Sequence, residues 1–279
     1  MKIAVLSGKG GTGKTFVSTN LAFAAGNAAY VDCDVEEPNG RLFFKPEELK
    51  TTSVKVKIPL VNPMKCSGCR KCVDFCKFNA MAFVKNRPII FSSICHSCGG
   101  CALLCPENAI SETERETGVV ESGIHGSVRV ITGVMNPGEE SGVPIIKEAL
   151  RQGFEASDTV IIDCPPGSAC AVMESVSLSD YCVIIAEPTA FGLHNFRMVY
   201  ELTRLMGKPC CAVINKESEK YGPLGDFCAE NHIPVPLRIP YSEELALLGA
   251  NANIASESKD EYKAMFSSLL GYIDREAVK

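Results

Sequence analysis

Gly8-Lys9-Gly10-Gly11-Thr12-Gly13-Lys14-Thr15 is the stretch on which the fold turns. It has the form G-x-x-x-x-G-K-[ST] of a phosphate-binding loop. An apolar run at 2–7 precedes it and a helix-compatible stretch at 15–26 follows, so the loop joins a predicted strand to a predicted helix. The glycines let backbone N–H groups wrap phosphate oxygens, and the helix N-terminus adds positive potential. Lys14 is placed to reach β- and γ-phosphates, and the Thr15 hydroxyl to ligate Mg2+.

Outward from the loop, short apolar runs at 28–32, 128–134, 159–163, 182–186, 211–215 and 235–239 alternate with helical stretches at 143–153, 193–206, 225–231 and 259–273. Most runs are near-continuous in Val, Ile, Leu and Ala, as strands buried on both faces of a parallel sheet are. The alternation predicts an α/β fold with a doubly wound, mostly parallel sheet. Two runs end on acids: Tyr30-Val31-Asp32-Cys33-Asp34, and Ile161-Ile162-Asp163-Cys164-Pro165-Pro166-Gly167. A carboxylate at such a strand end can position water beside a γ-phosphate or hold the nucleotide's magnesium.

Composition narrows the class. In 279 residues the apolar fraction is 46% and the charged fraction 22%, which suits a globular chain. No run approaches 18 apolar residues, so no membrane-spanning helix is expected. The net charge of −5 argues against nucleic-acid binding by charge, and Trp is absent. No charged leader with an apolar core precedes the first strand, so a cytoplasmic location is expected. There are 15 Cys, an odd total, and eight of them lie between Cys66 and Cys105. Clustered thiols without an export signal read as metal or iron–sulfur ligands rather than disulfides.

Residues 45–127 break the strand–helix rhythm and show no long helix and no sheet-core strand. They read as an insertion, with residues 1–55 and 120–279 forming the main domain and 56–119 a small α+β lobe. Cys66, Cys69, Cys72 and Cys76 recur 29 residues later as Cys95, Cys98, Cys101 and Cys105, and Asn79-Ala80 as Asn108-Ala109. That is a duplicated small motif. Each run has the bacterial ferredoxin spacing, in which the fourth Cys of a run ligates the other cluster. On that pattern one [4Fe–4S] cluster takes Cys66, Cys69, Cys72 and Cys105, and a second takes Cys95, Cys98, Cys101 and Cys76. Zinc is the rival metal for CxxC pairs, but it has no use for the fourth Cys at x3 spacing. Between positions 57 and 112, seven Lys or Arg against three acids leave +4 with neutral thiols, which two anionic clusters would balance.

Lys9, early in the loop, makes Lys9-Gly10-Gly11-Thr12-Gly13-Lys14-Thr15 resemble the deviant Walker A motif of the CobQ/CobB/MinD/ParA superfamily. The resemblance implies ATP and Mg2+ as ligands. It implies that Lys9 reaches a second copy's nucleotide in a sandwich homodimer. Asp34 then corresponds to the switch I aspartate that orients water, Asp163 to the Walker B aspartate on Mg2+, and Gly167 to the switch II glycine whose N–H approaches the γ-phosphate. Asn215 and Pro240 correspond to the adenine-contacting positions. With its two Cys runs the chain is similar to MinD-superfamily ATPases carrying an inserted ferredoxin domain, relatives of Mrp-type iron–sulfur carriers and the nitrogenase iron protein. The expected function is an ATPase coupling a nucleotide switch to two clusters. It would serve electron transfer to a partner protein, or iron–sulfur or metal-cofactor maturation of it. The alternative is a positioning or partitioning ATPase like MinD or ParA, with the clusters as sensor or structural element. MinD-like membrane targeting is not expected, because Lys and Arg near the end are balanced by acids.

Overall fold

The structure is a computed structural model that describes residues 1–217 and 222–277. The chain runs β1 (Lys2–Leu6), α1 (Lys14–Ala25), β2 (Ala29–Asp32), α2 (Gly40–Phe44), β3 (Glu47–Val61), α3 (Lys71–Phe75), β4 (Met81–Val84), β5 (Arg87–Ile90), α4 (Gly100–Leu103), β6 (Ile110–His125) and β7 (Val128–Met135). It continues α5 (Val143–Ala156), β8 (Val160–Asp163), α6 (Cys170–Ser177), β9 (Tyr181–Ala186), α7 (Ala190–Leu205), β10 (Cys210–Glu217), α8 (Gly222–Glu230), β11 (Leu237–Pro240), α9 (Glu243–Ala250), α10 (Ala255–Ser258) and α11 (Asp260–Ala277).

Nine strands form one sheet in the order β11-β10-β9-β1-β8-β2-β7-β6-β3. From β11 to β7 every pairing is parallel. Both faces are covered, which explains the near-continuous apolar runs. In β1, Ala4 and Leu6 pack into the layer under α5, α6, α7 and α8. Ile3 and Val5 pack into the layer under α1, α2, α9, α10 and α11. Each fully buried Val, Leu or Ile side chain among these contributes roughly 1.5–3 kcal/mol.

The segment 45–127, expected to hold no sheet-core strand, nonetheless supplies two edge strands: β3 and β6 extend the sheet antiparallel at one edge. Their residues are largely polar and exposed, with few fully buried positions such as Val54 and Val120, so they lack the apolar continuity by which the other strands are recognised. Positions 55/56 and 119/120 fall inside these strands. Strand β7 pairs only with residues 118–125 of β6, whereas the β3–β6 ladder continues through 55–61 against 110–116. That extra length runs past Met135, the carboxyl end of β7. It is a two-stranded ribbon leaving the sheet at the edge where the parallel strands end and the loop after β1 begins. A register shift at Val54/Lys55 marks where it departs.

The ribbon is pinned to the loop after β7. Arg115 forms a two-bond ion pair with Glu139, one bond being 2.8 Å from Nη2 to Oε2, and the Asn136 N–H donates to Thr117 O at 2.9 Å. A charge-assisted, partly exposed pair of this kind contributes about 2 kcal/mol in all. Arg115→Ala is therefore expected to raise local opening of residues 110–117 and 136–142 roughly 30-fold. Hydrogen exchange would show it, with α1 unaffected. Unchanged exchange in the loop would mean that the pair is not the anchor.

Residues 62–109 form the lobe at the end of the ribbon, with α3, α4 and the β4–β5 hairpin. That hairpin turns through Lys85 and Asn86, both at positive φ, as a two-residue hairpin loop requires. The 29-residue repeat is written into the backbone. Gly68 and Ser97, Arg70 and Gly99, and Asn79 and Asn108 are all at positive φ. Ala80 and Ala109 are both buried, and Asn79 and Asn108 each donate their N–H to the carbonyl of the Cys three residues before.

Candidate functional site

The loop between β1 and α1 and the ends of β2 and β8 surround a cavity of about 540 Å3. Lys9, Gly10, Gly11, Gly13, Lys14, Thr15 and Asp34 line it. Gly13 sits at φ +93, and a Cβ there would lie 2.1 Å from Asn215 Nδ2. Only glycine satisfies both the turn and the close approach. Gly8 is held as tightly, its missing Cβ pointing at Asn195 on α7. Thr12 is buried, and its hydroxyl donates to Lys9 O at 2.8 Å.

Lys14 is the electrostatic centre. Its Nζ lies 2.6 Å from Asp163 Oδ1 and 3.9 Å from Asp34 Oδ2. Burial works against its charge, but Asp163 together with Asp32 and Asp34 outweighs burial, and its pKa is raised above the ordinary lysine value. Asp163 is fully buried, and its other oxygen accepts from the Tyr30 hydroxyl at 2.7 Å. Asp32 is buried beside it and accepts the N–H of Gly40 at 2.8 Å and of Asp34 at 3.1 Å. Burial, reinforced by the nearby Asp163 charge, pushes Asp32 up to about 7. Burial also pushes Asp34 up to about 6, against the pull of Lys14. Three carboxyls thus crowd one ammonium, a site built for more positive charge than it holds. Thr15 and Asp163 would supply the hard oxygen donors that Mg2+ prefers, and Asp163 Oδ1 is here held by the Lys14 ammonium.

Gly167 is at φ +93 and donates its N–H to Ser7 O at 2.9 Å, so that group is turned to the loop rather than to the cavity. Asn215, at the end of β10, donates from Nδ2 to Thr12 O at 2.8 Å. With Pro240 and Tyr241 it lines a neighbouring cavity of about 300 Å3 that shares Gly13, Phe16 and Gly249 with the first. The two adenine-contacting candidates therefore lie together beside the loop.

Lys9 is held by this chain's own Glu187 at 2.7 Å and lies 5.3 Å from the Phe191 ring centroid. Glu187 also holds Lys216 at 2.7 Å, and Lys216 donates to Gly11 O at 2.7 Å. Burial opposes ionisation of Glu187, but these lysines outweigh it and its pKa is lowered from the ordinary value. Glu187→Gln removes the shared charge while keeping a hydrogen-bonding side chain. It is expected to raise the reactivity of Lys9 toward an amine-acylating reagent about 3-fold, the scale of a half-exposed ion pair, as read by mass spectrometry. An unchanged rate would show that Glu187 does not hold Lys9 in solution. The sequence alone assigns no role to Tyr30, Glu187 or Lys216.

In the lobe, Cys66, Cys69, Cys72 and Cys105 line one small cavity of about 20 Å3. Cys76, Cys95, Cys98 and Cys101 line another of about 260 Å3, mostly apolar in character. These are the two crossed sets. No three His, Cys, Asp or Glu among the described residues converge as ligands of one ion do. A cubane takes a thiolate at each of four separate iron corners, so its ligands ring a volume instead of meeting at a point. The Ala109 N–H donates to Cys105 Sγ at 3.2 Å. Burial pushes the Cys72 and Cys101 thiols up, Cys101 to about 11, so both would release protons on binding metal. The donor set fits a soft metal or cluster; the smaller cavity would have to open to admit one.

A strand–loop–helix phosphate cradle on a doubly wound sheet, with a strand-end carboxylate on the loop lysine, defines a P-loop nucleotide-binding protein. Residues 3–255 match the CobQ/CobB/MinD/ParA nucleotide binding domain, and the chain belongs to that family. It is 30% identical over 271 residues to the protein named "Uncharacterized protein MJ0578" of Methanocaldococcus jannaschii, covering 95% of this chain and 96% of the other. Its fold is similar to the cell division ATPase MinD of Pyrococcus furiosus, with TM-score 0.60, 17% identity and 98% of each chain covered. It is also similar to the septum site-determining protein MinD complexed with Mg-ADP from Pyrococcus horikoshii, with TM-score 0.59, 18% identity, and 99% and 96% covered. No helix among the described residues is long and apolar enough to cross a membrane.

Proposed function

We propose that the chain is a MinD/ParA-type ATPase whose inserted lobe carries two [4Fe–4S] clusters. The observation that carries the ATPase part is Lys14, which lines the loop cavity with Asp34 at 3.9 Å, held on the buried Asp163 beneath it. When a triphosphate enters, the Lys14 ammonium turns from Asp163 to the β- and γ-phosphates. The Thr15 hydroxyl and the Asp163 carboxylate would hold Mg2+, which when bound would supply charge that neutralises those phosphates. Asp34 orients the attacking water. Lys9 leaves Glu187 for the nucleotide of a second copy, giving a sandwich homodimer.

The cluster part is supported by the ferredoxin spacing, the backbone repeat and the two cavities lined by the crossed sets. Such clusters supply one-electron transfer. The ribbon β3–β6 leaves the sheet at the nucleotide edge, and through Arg115 it is tied to the 136–142 loop, whose Gly142 lines the nucleotide cavity. Movement at the nucleotide can therefore reach the lobe, for electron transfer to a partner protein or for its iron–sulfur or metal-cofactor maturation. Anaerobic purification with iron and sulfide quantitation, and EPR with and without MgATP, tests this. About eight irons per chain and a spectrum altered by MgATP are expected; zinc, or no metal, overturns it.

A second reading is favoured by the fold likeness over the whole chain to cell division and plasmid partition ATPases. On it the chain is a positioning or partitioning ATPase and the cysteine lobe a sensor or structural element. Membrane targeting through α11 is disfavoured, because Phe266, Leu269 and Ile273 of that helix are buried in the core. Pelleting with anionic liposomes in MgATP separates the readings.

A further inference from the structure

We infer that Tyr30 is a positioning residue for the Asp163 carboxylate, reserving one of its oxygens for the nucleotide's cation; the inference rests on the Mg-nucleotide reading above. Tyr30 is a fully buried phenol in a strand otherwise made of small and apolar residues plus the terminal Asp32. Its hydroxyl donates to Asp163 Oδ2 at 2.7 Å, while Lys14 occupies Oδ1 at 2.6 Å. A buried carboxylate without such a donor can rotate and present either oxygen, or both, to a cation. With Oδ2 taken by the phenol, Oδ1 is the oxygen that meets the loop lysine. When Lys14 turns to the phosphates, Oδ1 is the atom left to take the cation.

The phenol is itself fixed from two sides. The Phe44 ring packs on it at 5.0 Å between centroids. Gly40 abuts the hydroxyl so closely that a Cβ there would lie 2.1 Å from it. Gly40 is in turn held by its N–H on Asp32 Oδ2 at 2.8 Å. The first turn of α2 thus packs against the hydroxyl that orients Asp163, and Gly40 is needed because any larger residue would push the phenol aside.

The test is calorimetric titration of ADP and of a non-hydrolysable ATP analogue, each with and without Mg2+. The proteins are the wild type, Tyr30→Phe, Gly40→Ala, Asp163→Asn and Tyr30→Phe/Asp163→Asn, with melting temperatures recorded beside them. Tyr30→Phe keeps the ring and its packing on Phe44. It is expected to weaken the Mg2+-dependent part of nucleotide affinity roughly 10-fold, as loss of an outer-shell partner does, and to leave the Mg2+-free affinity in place. Gly40→Ala, which retains the hydroxyl but displaces it, is expected to act in the same direction. In the Asp163→Asn background Tyr30→Phe should add nothing. A Tyr30→Phe protein that melts lower but keeps its full Mg2+ dependence assigns the phenol to packing alone and overturns the inference. A wild-type chain that binds no nucleotide overturns the reading beneath it, and the inference with it.

Discussion

Lys14→Ala is expected to cut MgATP affinity by about 100-fold, as charge-assisted hydrogen bonds together contributing about 3 kcal/mol are lost. The site gives a reason to expect a stability change as well. Lys14 neutralises Asp163, which is fully buried. Removing one partner of a buried pair strands the other, at a cost of about 3–5 kcal/mol. A weak-binding Lys14→Ala protein could therefore be merely unfolded. The double variant Lys14→Met/Asp163→Asn separates the two effects. It removes both charges at similar volume, so most of the lost stability should return, as replaced buried pairs commonly allow. Binding should not return. Calorimetric titration with MgATP and denaturant unfolding of the three variants read both quantities. A Lys14→Ala protein that is folded and binds MgATP like the wild type would remove Lys14 from the phosphate site and leave it a structural cation.

The phosphate cradle was legible in the sequence because its parts are contiguous: the turn, the glycines, the lysine and the hydroxyl fall within eight residues. The parallel strands were legible because burial on both faces leaves unbroken apolar runs such as Val160–Asp163. Strands β3 and β6 were not, for the opposite physical reason. They form the sheet's edge and a free ribbon, where Lys55, Glu114 and Glu116 suit solvent and discourage edge pairing with other chains. Tyr30 was hidden differently. In sequence it reads as one more core residue of β2, and nothing local shows that its hydroxyl meets an aspartate 133 positions away. Glu187 was visible only as part of a run after β9; that it holds Lys9 and Lys216 depends on β9 lying between β1 and β10, which pairing creates.

The crossed assignment of the cysteines makes the second large prediction. Cys105 lies 39 positions after Cys66, yet it lines the cavity of Cys66, Cys69 and Cys72, whereas Cys76 lines that of Cys95, Cys98 and Cys101. Cys105→Ser is therefore expected to halve the iron of anaerobically purified protein, from about eight to about four atoms per chain, because a cubane left with three thiolates is lost. Which cluster goes is decided by second substitutions, since two changes at one site do not add whereas changes at independent sites do. Cys105→Ser with Cys66→Ala should retain the same four irons as Cys105→Ser alone. Cys105→Ser with Cys95→Ala should retain almost none. An uncrossed arrangement, each run closing its own cluster, reverses both results: the Cys95 pair would then keep four irons and the Cys66 pair would lose all. The fold makes the crossed outcome the expected one, because Cys76 follows directly on α3 and Cys105 lies just beyond α4, and each lines the cavity of the other run's three cysteines.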